Sequence, residues 1–278
     1  MSQTINNSLL GKSSDYSLRY EPGILFPVPR LESRKDLNCN LNPLPFTGYD
    51  IWSAYELSYL NIKGKPQCFL GFIIFPYNTE NIIESKSLKL YLNSLSEKKF
   101  KNNKEFANLI TKDLSNVSKG NVIIKIFTEN DFISANIAKF EGTCLDVADI
   151  EFSDYKINKK LVCLENDNLT NETLYTNLFK SNCPVTGQPD WASVQVSYFG
   201  KTISRENLLR YLVSYRTHSA FHENCVENIF CDIMESCNPE KLTVYARFTR
   251  RGGLDINPIR TNDSERTLPC IKTRLFRQ

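Results

Sequence analysis

The sequence is poorest in the residues that hold metals. It has two histidines among 278 residues and no C-x-x-C pair, and the spacing Cys225, Cys231, Cys237 fits no common zinc pattern. A structural zinc site or a disulfide scaffold is therefore not expected, and no metal is. Net charge is scarce as well: 34 basic against 31 acidic residues leave +3, too little for a global polyanion-binding surface. No long apolar run exists. The stretch from Cys68 to Phe75 is too short to span a bilayer, and MSQTINNSLLGKSSDYS lacks the apolar core of a signal peptide. No G-x-G-x-x-G follows a strand pattern, so a Rossmann cofactor site is not supported. These absences lead us to expect a soluble cytoplasmic protein, with no membrane and no direct nucleic-acid partner.

What the chain does have is nine cysteines, one of them in an informative setting. Cys183 stands in SNCPVTGQPDWASVQV, just before a proline and seven residues before Asp190. The loop residues keep the segment irregular, and a strand pattern follows. A thiol in such a loop is expected to be presented rather than packed. A carboxylate at short range can take its proton and pass it on, so the pair points to covalent chemistry on a carbon electrophile. Most cysteines are simply buried. Cys68, Cys144, Cys163 and Cys231 read as core or near-core thiols, and Cys39 and Cys270 as surface ones.

The chain also contains a weak copy of itself. ESKSLKLYLNSLSEKKFKNNKEFANLITKDL from Glu84 resembles SRENLLRYLVSYRTHSAFHENCVENIFCDIM from Ser204. Tyr91, Leu92 and Ser94 align with Tyr211, Leu212 and Ser214. Phe106, Leu109, Ile110 and Leu114 align with Val226, Ile229, Phe230 and Met234, at helical spacing. Strand patterns flank each copy: QCFLGFIIF and NVIIKIFTEN around the first, ASVQVSY and KLTVYARFTR around the second. The order strand, helix, strand thus occurs twice. The first forty residues read as an extended arm. Residues 142–180 read as a connector between a first half, 1–141, and a second, 181–278, with short strands at 148–152 and 160–164.

Three polar constellations add to Cys183. Phe221-His222-Glu223 precedes a helix, where Glu223 is either a solvated first-turn residue or a carboxylate accepting two parallel N–H bonds from a flat heterocycle. Phe221 can cover a ring face. Glu84-Ser85-Lys86-Ser87 opens the first helix, either as a cap or as an anion site built from free N–H groups, hydroxyls and a lysine. Arg250-Arg251-Gly252-Gly253 is either a tight turn or a diphosphate clamp. Groups divided in this way between two halves would serve one reaction only across a cleft.

ESKSLKLYL, SNCPVTGQPDW, FHENC and RRGGLDINP, together with LPFTGYDIWSAYELSYLN, resemble the NADPH-dependent 7-cyano-7-deazaguanine reductases, the nitrile reductases of queuosine biosynthesis, in the longer subfamily that fuses two halves. The resemblance implies an α+β fold of tandem tunnel-fold halves, with antiparallel sheets carrying helices on one face, and a homodimer. It implies reduction of a nitrile to an aminomethyl group with two NADPH, through a thioimide on Cys183, with Asp190 as proton donor. By motif, Ile83, Glu84, Ser85, Phe221, His222 and Glu223 meet the substrate, and Ser85, Lys86, Arg251 and Gly252 meet NADPH. Cys225 lies two residues beyond Glu223, and its pairing with Cys183 under mild oxidation is a further expectation. A silent purine- or pterin-binding module needs neither Cys183 nor Asp190. An RNA-binding protein would lean on Lys98-Lys99 and Lys159-Lys160. A cysteine amidohydrolase would ignore NADPH.

Overall fold

The computed structural model describes residues 19–132, 137–153, 155–265 and 274–278. They form two compact units that interleave along the chain. The first takes described residues within 1–32, 50–136 and 250–256, and the second those within 33–49, 137–249 and 257–278. The class is α+β, as expected.

The chain of the first unit runs through β1 (Pro27–Pro29), α1 (Arg30–Arg34, which passes into the second unit), β2 (Thr47–Asn61), β3 (Pro66–Pro76), β4 (Asn81–Ile83), α2 (Ser85–Ser94), β5 (Lys99–Phe100), α3 (Asn103–Ser118) and β6 (Ile123–Phe127). Its main sheet has the order β6-β3-β2, with β3 and β6 antiparallel. Helix α2 turns Leu88, Tyr91 and Leu92 inward, and α3 turns in Phe106, Ile110 and Leu114. These side chains meet Trp52, Ile73 and Phe75 of the sheet in one core. Asn102 caps α3 through the Glu105 N–H, and Lys119 ends it in the left-handed conformation.

The second unit contains β7 (Ile137–Ala138), β8 (Thr143–Cys144), β9 (Leu164–Asn182), β10 (Pro189–Ile203), α4 (Arg205–Ser214), α5 (His222–Cys237), β11 (Lys241–Phe248), β12 (Leu254–Thr261, which begins in the first unit) and β13 (Arg274–Leu275). Its strands follow the order β12-β11-β10-β9-β8. The long pairs are antiparallel, and only the short β8 runs parallel to its neighbour in this order. The interior side of β10 and β11 packs on α5, whose Cys225, Ile229 and Ile233 are fully buried.

The internal repeat is real but slips. Helices α2 and α4 begin at Ser85 and Arg205, whereas α3 and α5 begin at Asn103 and His222, one position closer together. The second pair therefore aligns Phe106, Ile110, Asp113, Leu114 and Ser118 with Cys225, Ile229, Asp232, Ile233 and Cys237, all buried. This corrects the alignment of Phe106 with Val226 and its companions. The cause is the shorter connection between the helices of the second unit. In the corrected register a tyrosine–carboxylate bond recurs: Tyr91 Oη donates to Asp113 at 2.7 Å and Tyr211 Oη to Asp232 at 2.5 Å.

Other expectations change too. Described residues of the N-terminal segment are packed rather than extended into solvent: Val28 is buried in β1, which pairs with β4. Its prolines are tolerated because β1 is a short edge strand. Residues 148–152 form no regular element, and Lys159–Leu161 is a 3-10 turn. Residues 164–182 are the strand β9, polar in its first half because that half is exposed.

Candidate active site

The hairpin β9–β10 carries the candidate nucleophile. Its register pairs Ser181 with Asp190 and Asn182 with Pro189. Beyond it, the Cys183 N–H donates to Gln188 O at 2.8 Å, and the Gly187 N–H returns to Cys183 O at 3.0 Å. Side chains alternate along a strand and cross-strand partners share a face, so Ser181, Cys183 and Asp190 lie on one face of the hairpin tip. The sequence places the thiol and the carboxylate seven positions apart, and the tight loop makes them diagonal neighbours. Cys183 is only 5% exposed. The expectation of a presented thiol is thus corrected: the loop turns back on itself and the thiol points inward. Cys68, expected near the core, is exposed, and Cys39, Cys144 and Cys163 are half-buried. Cys231 is buried as expected, and Cys270 lies outside the described residues.

The N-terminus of α5 meets the same face. His222 Nε2 is 3.7 Å from Asp190 Oδ1. The His222 ring stands edge-on to Phe248, centroids 4.2 Å apart, which fixes its plane. Glu223 is 2% exposed and Phe221 is half-buried at the cap position. Burial pushes the Cys225 thiol up to about 12. The Ser181 hydroxyl works against that rise, and the charges of Asp190 and Glu223 add to it. Ser181, Asp190, Glu223 and Cys225 are thus buried neighbours within the second unit, with His222 half-buried beside Asp190 and Cys183 buried two residues beyond Ser181. Sequence reasoning missed Ser181, although its place two residues before Cys183 puts it on the same strand face.

The remaining expected residues belong to the first unit. Ile83 is buried in β4. Glu84 caps α2: its carboxylate accepts from Lys86 N at 2.6 Å and Ser87 N at 2.8 Å, and Ser85 Oγ lies 3.5 Å away. This overturns the reading of free helix N–H groups awaiting an anion, because an anion of the chain itself already occupies them. The Arg250–Gly253 segment is a tight turn closed by an Arg251–Leu254 bridge, with φ of +59° at Gly252 and +76° at Gly253. A Cβ on Gly252 would come within 3.3 Å of the Lys89 side chain. Lys86 and Lys89, three apart on α2, share a face. Arg250 stacks over Tyr55 at 5.0 Å, and Tyr55 Oη donates to Asp255 at 2.7 Å. Lys89 and a glycine turn that lets it approach suit a diphosphate through side chains, not through the helix terminus. A groove of about 570 Å³ in this unit, lined by Tyr55, Phe69, Phe127 and Glu129 among others, includes none of the expected site residues. Among the described residues no three His, Cys, Asp or Glu side chains cluster as a metal site, and no helix is long and apolar enough to cross a membrane.

The family model described as "Nitrile reductase, 7-cyano-7-deazaguanine-reductase N-term" matches residues 16–126, and that described as "QueF-like protein" matches residues 189–267. The class these matches define is therefore a nitrile reductase. Among curated proteins, the NADPH-dependent 7-cyano-7-deazaguanine reductase of Desulfotalea psychrophila is 50% identical over 100% of both chains. That of Hydrogenovibrio crunogenus is 48% identical over 93% of each. That of Legionella pneumophila is 46% identical over 98% of this chain and 95% of its own. The chain belongs to the NADPH-dependent 7-cyano-7-deazaguanine reductase family and is an oxidoreductase.

Proposed function

We propose that this oxidoreductase reduces the nitrile of 7-cyano-7-deazaguanine to an aminomethyl group, in the cytoplasm, as a step of queuosine biosynthesis. Cys183 is the nucleophile and Asp190 the proton carrier. One observation supports the reading most: Cys183 and Asp190 are both buried at the tip of the same hairpin, with His222 3.7 Å from Asp190.

A nitrile accepts hydride poorly in its free state. Cys183 Sγ adds to the nitrile carbon, one C–N π bond opens, and the thiol proton passes through Asp190 to the nitrogen, giving a thioimide. NADPH, when bound, supplies a hydride, and two are consumed because nitrile to amine takes four electrons. After the first hydride the C–S bond breaks with Cys183 leaving as the thiolate, and a proton taken up from solvent through Asp190 restores the thiol. The imine left behind would hydrolyse in water, so the burial of Cys183 and Glu223 favours a second reduction over release of aldehyde.

Glu223 accepts the paired N–H groups of the deazaguanine, with His222 beside it and Phe221 over the ring. Ile83, Glu84 and Ser85 complete the substrate set, Glu84 as an acceptor whose direction its own helix cap fixes. Lys86, Arg251 and Gly252, with Ser85, hold NADPH. Tandem tunnel-fold halves and a homodimer are part of the same reading, since association covers exposed sheet edges. So is the pairing of Cys183 with Cys225 under mild oxidation.

The test is intact mass after mixing protein with 7-cyano-7-deazaguanine, without NADPH. The expected result is an increase equal to the nitrile, absent in Cys183→Ala and slowed on the order of a hundredfold or more in Asp190→Asn. No adduct on the unaltered protein would refute the covalent reading and favour a silent binding module.

A further inference from the structure

The face of the Cys183 hairpin that carries Ser181, Cys183 and Asp190 does the chemistry. The opposite face carries Lys180, Asn182 and Trp191, and it is tied down. Asn182 meets residues 216–220 through main chain and side chain together. Its N–H donates to His218 O at 2.8 Å, and its carbonyl accepts from the Ala220 N–H at 3.2 Å, forming a parallel bridge centred on Ser219. Asn182 Nδ2 adds bonds to His218 O at 3.3 Å and Arg216 O at 3.5 Å. Lys180 Nζ closes the loop, donating to Asn182 Oδ1 at 2.8 Å and Arg216 O at 2.8 Å. The Arg216 guanidinium lies over Trp191, the cross-strand partner of Lys180, at 5.2 Å.

The segment held in this way is the one that runs directly into Phe221, His222 and Glu223. It is stiff in its own right. The His218 N–H donates to Tyr215 O at 2.8 Å, and the His218 ring packs edge-on against Tyr215. Asn182 thus stands between two parts of the proposed site. On one side, a single peptide bond away, is the thiol. On the other are the groups assigned to the heterocycle.

We infer that Asn182, held by Lys180, is a positioning residue that fixes the Cys183 thiol against the substrate-holding end of α5. This rests on the reading of Cys183 as nucleophile. A bound nitrile presents one carbon at one distance, and a displacement of about 1 Å can cost on the order of a hundredfold in rate. Without the Asn182 side chain the hairpin tip keeps its two main-chain bonds but loses the bonds that lock their angle. Binding by His222 and Glu223 should survive while attack by Cys183 slows.

The experiment compares the unaltered protein with Asn182→Ala, Lys180→Met and the double variant. The rate of adduct formation is expected to fall on the order of tenfold in either single variant. The double variant should be no slower than the slower single one, because both residues act through one tie. In a Cys183→Ala background, Asn182→Ala should change the affinity for the nitrile by less than about twofold. An unchanged adduct rate, or rate and affinity falling by the same factor, overturns the inference. A second measurement uses neither nitrile nor NADPH: hydrogen exchange at the Asn182 and Ala220 amides should accelerate in Asn182→Ala, and unchanged exchange also overturns it. If the unaltered protein forms no adduct, the nucleophile reading fails by itself, and the exchange comparison still decides whether the tie exists.

Discussion

Glu227 offers the sharpest test of what holds the site helix in place. It lies one turn beyond Glu223 on α5 and is 2% exposed. Its carboxylate accepts from Arg34 Nη2 at 2.6 Å and Nε at 2.9 Å, and from Arg260 Nε at 2.9 Å and Nη2 at 2.8 Å. Both guanidinium groups are buried, and Phe46 packs against both. Glu227→Gln conserves volume, so no cavity term enters. It removes the negative charge to which two buried guanidinium groups donate and turns an N–H donor toward one of them. Breaking a buried pair in this way costs about 3–5 kcal/mol. With a urea slope of about 3 kcal/mol per M, the midpoint should fall by about 1 M or more. Trp191 fluorescence in a Trp52→Phe background reports the second unit alone. Adding Arg34→Met removes one stranded charge, so the double variant should recover part of the loss. A midpoint shift below about 0.3 M for Glu227→Gln, or a further loss on adding Arg34→Met, would refute the charge argument.

Two further outcomes follow from the second unit. Burial pushes the Cys225 thiol up to about 12 and the Cys237 thiol up to about 11, from an ordinary 9.0. The unfolded thiols release protons above pH 9 while the folded ones keep theirs, so the contribution is complete below pH 9 and is lost as pH rises toward 11 and 12. Between pH 8 and 11 the Cys225 contribution should fall by about 2–3 kcal/mol; Cys225→Ala should flatten the profile of urea midpoint against pH, and an identical profile would count against it. Gly48 has φ +143°, and a Cβ there would lie 2.0 Å from Ile259 O. Gly48→Ala should therefore destabilise the second unit by roughly 2–4 kcal/mol in the same unfolding assay, with a loss under about 0.5 kcal/mol as the contrary result.

Much of the candidate site was legible as a proposal because its motifs are local in sequence. The Cys183–Asp190 spacing, the FHEN segment at the start of α5 and the RRGG turn are each short enough for residue type and order to carry the meaning. The strands around β3, β6, β10 and β11 were legible for the same reason: their apolar alternation is written in the residues that form them. The slip between the two helix pairs was not. A loop shortened by one residue leaves the helical period intact on both sides, so two neighbouring alignments look equally good until the buried Asp113 and Asp232 distinguish them.

The sequence by itself determined the chemistry available: a thiol, a nearby carboxylate, an acceptor pair at a helix start, and the motifs that mark a nitrile reductase. Tertiary structure decided where those groups lie. It turned Cys183 inward, because the hairpin loop closes on its own carbonyl. It took Glu84 into the cap of α2, because unsatisfied N–H groups at a helix start attract the nearest carboxylate. It joined residues 250–256 to the first unit and 33–49 to the second, since strand pairing and burial act between residues far apart in the chain. Asn182 shows the division most plainly: nothing in its neighbours' identities marks it, and its meaning comes from meeting residues 216–220 across the fold.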